Sequence, residues 1–350
     1  MHNIRKIGIR ILLILAVLFV YEEAAEFLYR PYDETTVYIN REQEEMDGTI
    51  ETLLCGTSTT QRGIDPYIID KELETISFNS ASSMQPIDGT YELIRDVAES
   101  NPVETVILGV SPDPMKKKQV NTKFKSRLYD RLKGAGSKLN YLLRGCSVDE
   151  WPYMILYSAR VENYFDSLLI QENVDNKLSK EYKSGEINKG NYKGKGMMAI
   201  KKTFDAEQIE YLKKGNSKFK VEHVKEHNLE YLTKIAKYCE KNQIELILVY
   251  IPLTGTKIES YRDISTIHDF YAEFAKEQDA VFWDFNYYKD LKTLFTNDKF
   301  EDEKHLNKDG AKVFSEELTN IYYRYHMGED IGKYFCDTCP YYLESGVVGK

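Results

Sequence analysis

Apolar residues along the chain fall into short continuous runs and into runs with helical spacing. The continuous runs predict buried strands at 51–55, 74–79, 104–110, 244–251 and 280–285. Helical spacing predicts helices at 88–99, 226–241, 262–277 and 308–324. Continuous apolar strands separated by helices indicate a parallel sheet that helices cover on both faces. In such sheets, functional residues lie at the carboxyl ends of the strands.

A basic segment, residues 116–220, interrupts this alternation. It holds 23 Lys and Arg against 12 Asp and Glu, a net charge of +11, and leaves −20 on the rest of a chain whose total charge is −9. Its stretch 185–196 (GEINKGNYKGKG) predicts a mobile loop, and the flanks 156–170 and 205–214 predict helices. We interpret the segment as an insertion that forms a cap or contacts a polymer; a solvated Lys-rich loop is the alternative.

The amino terminus carries an apolar run between opposite charges. Residues 7–21 contain one charge, basic residues precede them, and Glu22, Glu23 and Glu26 follow. The run is shorter than the ~20 residues of an average spanning helix, but its flanking charges orient the amino terminus to the cytoplasm. We therefore predict an uncleaved signal anchor at 1–26, that is, a single-pass transmembrane helix at the cell membrane. A cleaved signal peptide and a buried core helix are the alternatives.

Beyond this anchor we predict one α/β domain at 45–325, which includes the insertion at 116–220, and a C-terminal tail at 326–350. Both export interpretations of the amino terminus place that domain outside the cytoplasm.

Composition narrows the class of protein. With 42% hydrophobic and 29% charged residues the chain is globular, and its negative total charge argues against a nucleic-acid binder that acts through bulk charge. Cys336 and Cys339 predict a local disulfide or two unused thiols, because no second pair follows to complete a zinc site. His223 and His227 are four residues apart without an evident third ligand, so we predict no metal.

The first candidate for chemistry is Ser58, in the sequence Cys55-Gly56-Thr57-Ser58 directly after the first predicted strand. Gly56 permits a sharp backbone turn. Ser58 then lies at the strand's carboxyl end, where the N–H groups of a following helix face developing negative charge. This position suits a nucleophile, and a helix-capping serine is the alternative.

The second candidate is the pair Asp302 and His305, just before the last predicted helix. A carboxylate three residues from an imidazole can hold its tautomer while the other ring nitrogen faces a serine. A solvated histidine is the alternative. The joint position of a serine after the first strand and Asp-x-x-His before the last helix favours a Ser-His-Asp site.

With these two motifs the chain resembles the SGNH/GDSL hydrolase superfamily. More narrowly, it is similar to the membrane-anchored branch that includes the alginate O-acetylation proteins and the D-alanyl-lipoteichoic acid biosynthesis protein. Gly56-Thr57-Ser58 matches the family's Gly-Asp-Ser block, and Asp302-x-x-His305-Leu306 matches its Asp-x-x-His-Leu block. The resemblance covers about 50–115 and 244–324, and it implies a flavodoxin-like three-layer α/β sandwich with a parallel sheet.

Two further family blocks depart from the pattern. The block at Asn79 has the asparagine but no following glycine, and Ser111 stands where the family has asparagine. The resemblance therefore implies an oxyanion site formed by the Ser58 N–H with groups near Asn79 and Ser111.

The activity that the resemblance implies is that of an extracytoplasmic acyltransferase or esterase working through an acyl-Ser58 without a cofactor. Its partners would be an acylated donor, a cell-surface polysaccharide or teichoic-acid-like acceptor, and a multi-pass membrane O-acyltransferase. A non-catalytic scaffold or polymer-binding protein of the same fold is the alternative, and Ser111 in place of asparagine favours it.

Overall fold

In a computed structural model the chain forms a parallel sheet between layers of helices. The structure describes residues 2–116, 120–162, 164–184, 190–205, 219–261 and 264–343. The strands in chain order are β1 (Thr52–Cys55), β2 (Ser77–Asn79), β3 (Thr105–Gly109), β4 (Tyr192–Gly194), β5 (Met197–Met198), β6 (Glu245–Tyr250) and β7 (Val281–Asp284).

The main sheet has the order β2-β1-β3-β6-β7, and every neighbouring pair in it is parallel. Counting only these strands, the order is 2-1-3-4-5, which is that of flavodoxin-like folds. The predicted α/β class and all five predicted strands are confirmed. The chain reverses its direction of winding between β1 and β3, so a crevice opens beyond the carboxyl ends of these two strands.

The helices in chain order are α1 (His2–Tyr29), α2 (Thr35–Glu45), α3 (Ser58–Gly63), α4 (Pro66–Leu73), α5 (Ile87–Ala98), α6 (Pro112–Lys116), α7 (Thr122–Arg131), α8 (Ala135–Arg144), α9 (Trp151–Ile155), α10 (Ser167–Leu178), α11 (Lys180–Ser184), α12 (Glu226–Lys241), α13 (Gly255–Ser260), α14 (Ser265–Glu277), α15 (Leu291–Leu294), α16 (Lys308–His326) and α17 (Pro340–Leu343). Helix α5 packs against α12, and α16 packs against α3 and α4. Residues of β1, β3 and β6 are buried because helices cover both faces of the sheet.

The predicted helix at 156–170 is wrong in its position. Ser158–Arg160 form a single 3-10 turn, and α10 begins only at Ser167. The side chain of Asp166 accepts a hydrogen bond from the Leu169 N–H and so caps the later start. The predicted helix at 205–214 lies almost wholly outside the described residues.

The predicted mobile loop at 185–196 is also wrong where the structure describes it. Residues 185–189 lie outside the described residues, but β4 and β5 form a hairpin that packs on the α/β body. The Lys195 carbonyl accepts from the Asn79 N–H at 2.9 Å, while Lys193 and Lys195 form ion pairs with Asp65 and Asp70. The lysines of this hairpin thus neutralise the acidic body locally.

Helix α1 contains the apolar run of the amino terminus, and the side chains from Ile11 to Leu15 are all about half exposed or more. No helix among the described residues is long and apolar enough to cross a membrane. The predicted transmembrane helix at 1–26 is therefore not supported. The physical reason is that Arg10 and Glu22 leave only a short uncharged stretch between them.

The segment after α16 returns to the body. The Cys336 N–H donates to the Tyr287 carbonyl at 2.8 Å, and the side chain of Cys339 is buried. Both thiols are free, and burial raises the pKa of Cys339 to about 12. Cys336 and Cys339 are thus two unbridged thiols in the structure and do not form the local disulfide that was the other prediction.

Gly56, at the end of β1, adopts φ +139°, which side-chain-bearing residues rarely adopt. A Cβ there would lie 2.8 Å from the Gly109 carbonyl oxygen and would also meet the side chain of Thr60. We expect Gly56→Ala to lower the free energy of unfolding by about 2–4 kcal/mol, measured by urea denaturation. Gly136→Ala in α8 is the control, because nothing lies within 4 Å of its Cβ position; an equal loss in both variants would contradict the argument.

Candidate active site

Ser58 begins α3, immediately beyond the turn that Gly56 permits. Its side chain is partly buried at the carboxyl end of β1, beside the crevice between β1 and β3. The peptide N–H of Ser58 belongs to the first turn of the helix, where N–H groups have no acceptor within the helix. The residue therefore brings a hydroxyl and a backbone donor to the same place.

Asp302 and His305 lie in the turn before α16. The Lys304 and His305 N–H groups both donate to Asp302 Oδ1 at 3.0 Å, and Asp302 Oδ2 lies 2.7 Å from His305 Nδ1. After the turn, Asn307 caps α16 by accepting from the Asp309 and Gly310 N–H groups. The same carboxylate thus holds both the backbone of the turn and the imidazole ring.

The structure brings the three predicted residues together. Ser58 Oγ lies 2.8 Å from His305 Nε2, and the side chain of His305 is only 9% exposed. The packing of α16 against α3 places the turn beside Ser58 although the two residues are far apart in the chain. With Nδ1 directed to Asp302 and Nε2 directed to Ser58, the imidazole is in position to take the hydroxyl proton.

Two carboxylates, those of Asp302 and Glu301, lie beside the imidazole of His305. Burial favours a higher pKa for Asp302, but the hydrogen bonds from the His305 ring and from two backbone N–H groups prevail and lower the pKa to about 2. Burial raises the pKa of Glu301, and the ion pair with Arg62 opposes the rise. Asp302 therefore remains ionised beside His305 throughout the neutral range.

Glu301 and Arg62 lie beside the three candidate residues, although the sequence analysis assigned neither of them a role. Glu301 Oε1 lies 3.9 Å from His305 Nδ1 and pairs with Arg62, which is on α3 one turn beyond Ser58. The acidic run Glu301-Asp302-Glu303 was the available signal, but nothing in it distinguished the partner of the imidazole. The ion pair between Arg62 and Glu301 therefore connects α3, which carries Ser58, with the turn before α16.

Among the described residues, donor atoms of Glu301, Asp302 and His305 lie within 4.8 Å of one another, as in a metal site. The Arg62 guanidinium already pairs with Glu301 there, and His305 Nδ1 is hydrogen-bonded to Asp302. This donor set does not fit a cation, because one carboxylate and the imidazole are engaged with other partners.

Ser58 opens onto a cavity of about 400 Å³, which we call the serine cavity. The apolar part of its wall is formed by Met84, Ile87, Val110, Pro112, Ile251 and Leu253. Its polar wall contains two ion pairs, His227 with Asp88 at 3.2 Å and Lys125 with Glu150 at 2.8 Å. The hydrogen bond to Asp88 raises the pKa of His227, whose side chain is exposed at the rim of the cavity.

Besides Ser58, the two other tentative oxyanion residues, Asn79 and Ser111, lie in different environments. Ser111 follows β3 and lines the serine cavity. Asn79 is wholly buried, and its amide nitrogen donates to the Thr60 and Ile64 carbonyls, each at 3.0 Å. Its backbone N–H donates to the Lys195 carbonyl. All the donors of Asn79 itself are thus engaged within the protein, and the tentative oxyanion role of the groups near it stays a prediction.

Comparison with known proteins gives three findings. One protein-family model matches residues 159–324, a range that contains Asp302 and His305 but not Ser58. No curated protein matches this chain. A solved structure from Desulfitobacterium hafniense DCB-2, described as that of a lipolytic protein of the G-D-S-L family, is similar with a TM-score of 0.36 and 11% sequence identity, over 78% of this chain and 99% of that chain.

Proposed function

We propose that this protein is an SGNH-type serine enzyme that transfers or hydrolyses O-acyl groups through an acyl-Ser58 intermediate. One observation carries the proposal: Ser58 Oγ, the imidazole of His305 and the carboxylate of Asp302 form a continuous chain of contacts of 2.8 and 2.7 Å. The serine of this chain borders a cavity large enough for a small acyl group and part of its donor.

The first half-reaction forms the acyl-enzyme. Ser58 Oγ bonds to the carbonyl carbon of the donor ester while His305 Nε2 takes the hydroxyl proton. The tetrahedral intermediate then collapses, the bond to the leaving oxygen breaks, and that oxygen takes the proton from His305. Asp302 stabilises the imidazolium between these two transfers.

The second half-reaction releases the acyl group. A hydroxyl of the acceptor, or water, gives its proton to His305 and bonds to the acyl carbon, and Ser58 leaves with the proton returned. Water makes the protein an esterase, and a glycan or polyol hydroxyl makes it a transferase. In both half-reactions the Ser58 N–H is suited to stabilise the oxyanion, because the first turn of a helix leaves it without a partner.

The natural acceptor in this proposal is a cell-surface polysaccharide or teichoic-acid-like polymer, and a multi-pass membrane O-acyltransferase delivers the acyl group outside the cytoplasm. Support comes from the resemblance of the two catalytic blocks and from the charges that flank the amino-terminal apolar run. The +11 charge of 116–220 suits an anionic polymer through long-range attraction, although some of its lysines are engaged in ion pairs with the body.

The proposal is tested by covalent labelling. A fluorophosphonate probe, which reacts with activated serines, is expected to label the folded wild type at one site, located at Ser58 by peptide mass spectrometry. Labelling should vanish in Ser58→Ala and in heat-unfolded wild type, because an isolated serine hydroxyl is a weak nucleophile. Equal labelling of Ser58→Ala would exclude Ser58 as the nucleophile, and an unlabelled but folded wild type would favour a non-catalytic scaffold.

A further inference from the structure

A second cavity adjoins the serine cavity. Its volume is about 960 Å³, and we call it the arginine cavity. Gln61 and Arg62 of α3 line it one turn beyond Ser58, and Ser82 and Ser83 line it next to Met84, which belongs to the wall of the serine cavity. The two cavities therefore share α3 and the segment after β2 as a common boundary.

Arg131, the last residue of α7, lines the arginine cavity with a buried guanidinium. The residue is only 3% exposed. Its Nη1 donates to the Ser80 carbonyl at 2.8 Å, but Nε and Nη2 are buried and have no hydrogen-bond partner in the described part of the chain. Nε and Nη2 form one edge of the planar guanidinium, so two parallel N–H groups are left over on the same side.

No carboxylate compensates this charge among the described residues. Arg160, which also lines this cavity, forms an ion pair with Asp130, as Arg30 does. By contrast, the ionisable groups that interact electrostatically with Arg131 are Cys55 and Tyr192. Burial lowers the pKa of Arg131 to about 10, so the side chain is still charged at neutral pH. A buried, unpaired charge is costly for a folded protein, which indicates that its partner is a ligand.

We propose that the free edge of Arg131 binds an oxyanion, a carboxylate or a phosphate, of the acyl acceptor. Two parallel N–H donors match two oxygens of either group, and burial strengthens the interaction. The inference rests on the proposed function only in naming the acceptor as the ligand; the anion site itself follows from the cavity and the guanidinium. The acceptor would then occupy the arginine cavity while the acyl group occupies the serine cavity.

The site is tested with small anions on the full-length protein. We expect inorganic phosphate or acetate to raise the thermal unfolding midpoint of the wild type by about 2 °C over chloride at equal ionic strength. Acetamide, the neutral counterpart of acetate, should have no such effect. The larger of the two anion responses identifies the acceptor group as phosphate or carboxylate, and the absence of both would overturn the proposal.

Variants assign the response to Arg131. Arg131→Gln and Arg131→Met should lose it, while Arg95→Gln, which removes an arginine of α5 paired with Glu92, should keep it. Arg131→Met should also be no less stable than the wild type without anion, since it removes an unpaired buried charge. An unchanged anion response in both Arg131 variants, or failure of both to fold, would overturn the proposal.

Fluorophosphonate labelling distinguishes a failure of the anion site at Arg131 from a failure of the proposed function of Ser58. Ser58→Ala should keep the anion response, because Ser58 is not part of the wall formed around Arg131. Arg95→Gln, which lies outside the walls of both cavities, should be labelled at Ser58 by the fluorophosphonate as fast as the wild type. A wild type that responds to anions but is not labelled would refute the proposed function and leave the anion site standing.

Discussion

Replacement of His305 by glutamine is expected to lower kcat for hydrolysis of an aryl ester by at least about 10⁴-fold. A glutamine side chain has no group that can take the proton of Ser58, whose Oγ lies 2.8 Å from His305 Nε2 in the wild type. The measurement is steady-state hydrolysis of 4-nitrophenyl acetate by purified protein, together with the rate of fluorophosphonate labelling. Both rates should fall together, because both begin with attack by the same hydroxyl.

The chain offers a matched control in a second histidine–aspartate pair. His268 Nδ1 lies 3.0 Å from Asp284 Oδ2, and Asp284 is buried. This pair lies outside the wall of the serine cavity, so His268→Gln should retain the wild-type kcat in the folded protein. Comparable losses in the two variants would show that His305 acts through stability and not as a base.

The exchange of Asp302 for asparagine is expected to reduce kcat by on the order of 10⁴-fold. Asparagine preserves the shape of the side chain, but it removes the charge that stabilises the imidazolium and can hold the wrong tautomer of the ring. The same aryl-ester assay measures the loss. Circular dichroism should show an unchanged fold, because the asparagine oxygen can still accept from the Lys304 and His305 N–H groups.

Glu301→Gln is the control for charge alone. Glu301 also carries a carboxylate near His305, but at 3.9 Å from Nδ1 compared with 2.7 Å for Asp302. We expect its kcat to fall less than about tenfold, since it does not hold the tautomer. A larger loss in Glu301→Gln than in Asp302→Asn would assign the orienting role to Glu301.

The wild type and Asp302→Asn should also differ in how their free energy of unfolding changes at acid pH. Because the pKa of Asp302 is lowered from 3.8 to about 2 on folding, its ionised form stabilises the native state at neutral pH. The contribution is complete above the unfolded value and is lost as the pH falls from about 4 to about 2. The stability advantage of the wild type over Asp302→Asn should shrink in that interval.

The strands and the three catalytic candidates could be predicted from the sequence because each of their signals lies within a short stretch of the chain. Buried parallel strands are apolar along their whole length, so the runs at 104–110 and 244–251 are visible without knowledge of their neighbours. Ser58 and the turn at 302–305 each lie in a short motif. Because functional residues of such sheets lie at the carboxyl ends of the strands, the two motifs could be expected to lie close together.

The features that sequence could not predict depend on contacts between distant segments. Arg131 is the end of an unremarkable basic helix, and only the fold shows that its guanidinium is buried without a carboxylate. Likewise, the glycines and lysines near residue 195 are typical of a loop, yet the ion pair of Lys195 with Asp70 requires the surface of a body more than a hundred residues away. The motif around Asn79 also does not show that the amide of this side chain is already hydrogen-bonded to two backbone carbonyls.

The separation of Ser58 and His305 by 247 positions has a consequence for how the protein is made. A ribosome delivers the serine first, and the histidine arrives only after 247 further positions have been translated. Until α16 docks on α3, His305 is not in place beside the Ser58 hydroxyl, so on the proposed function a chain that lacks this contact should not react with esters. If Ser58 is the proposed nucleophile, covalent capture by a fluorophosphonate would report the docking of α16 on α3, and a pulse of the reagent during translation would time that step.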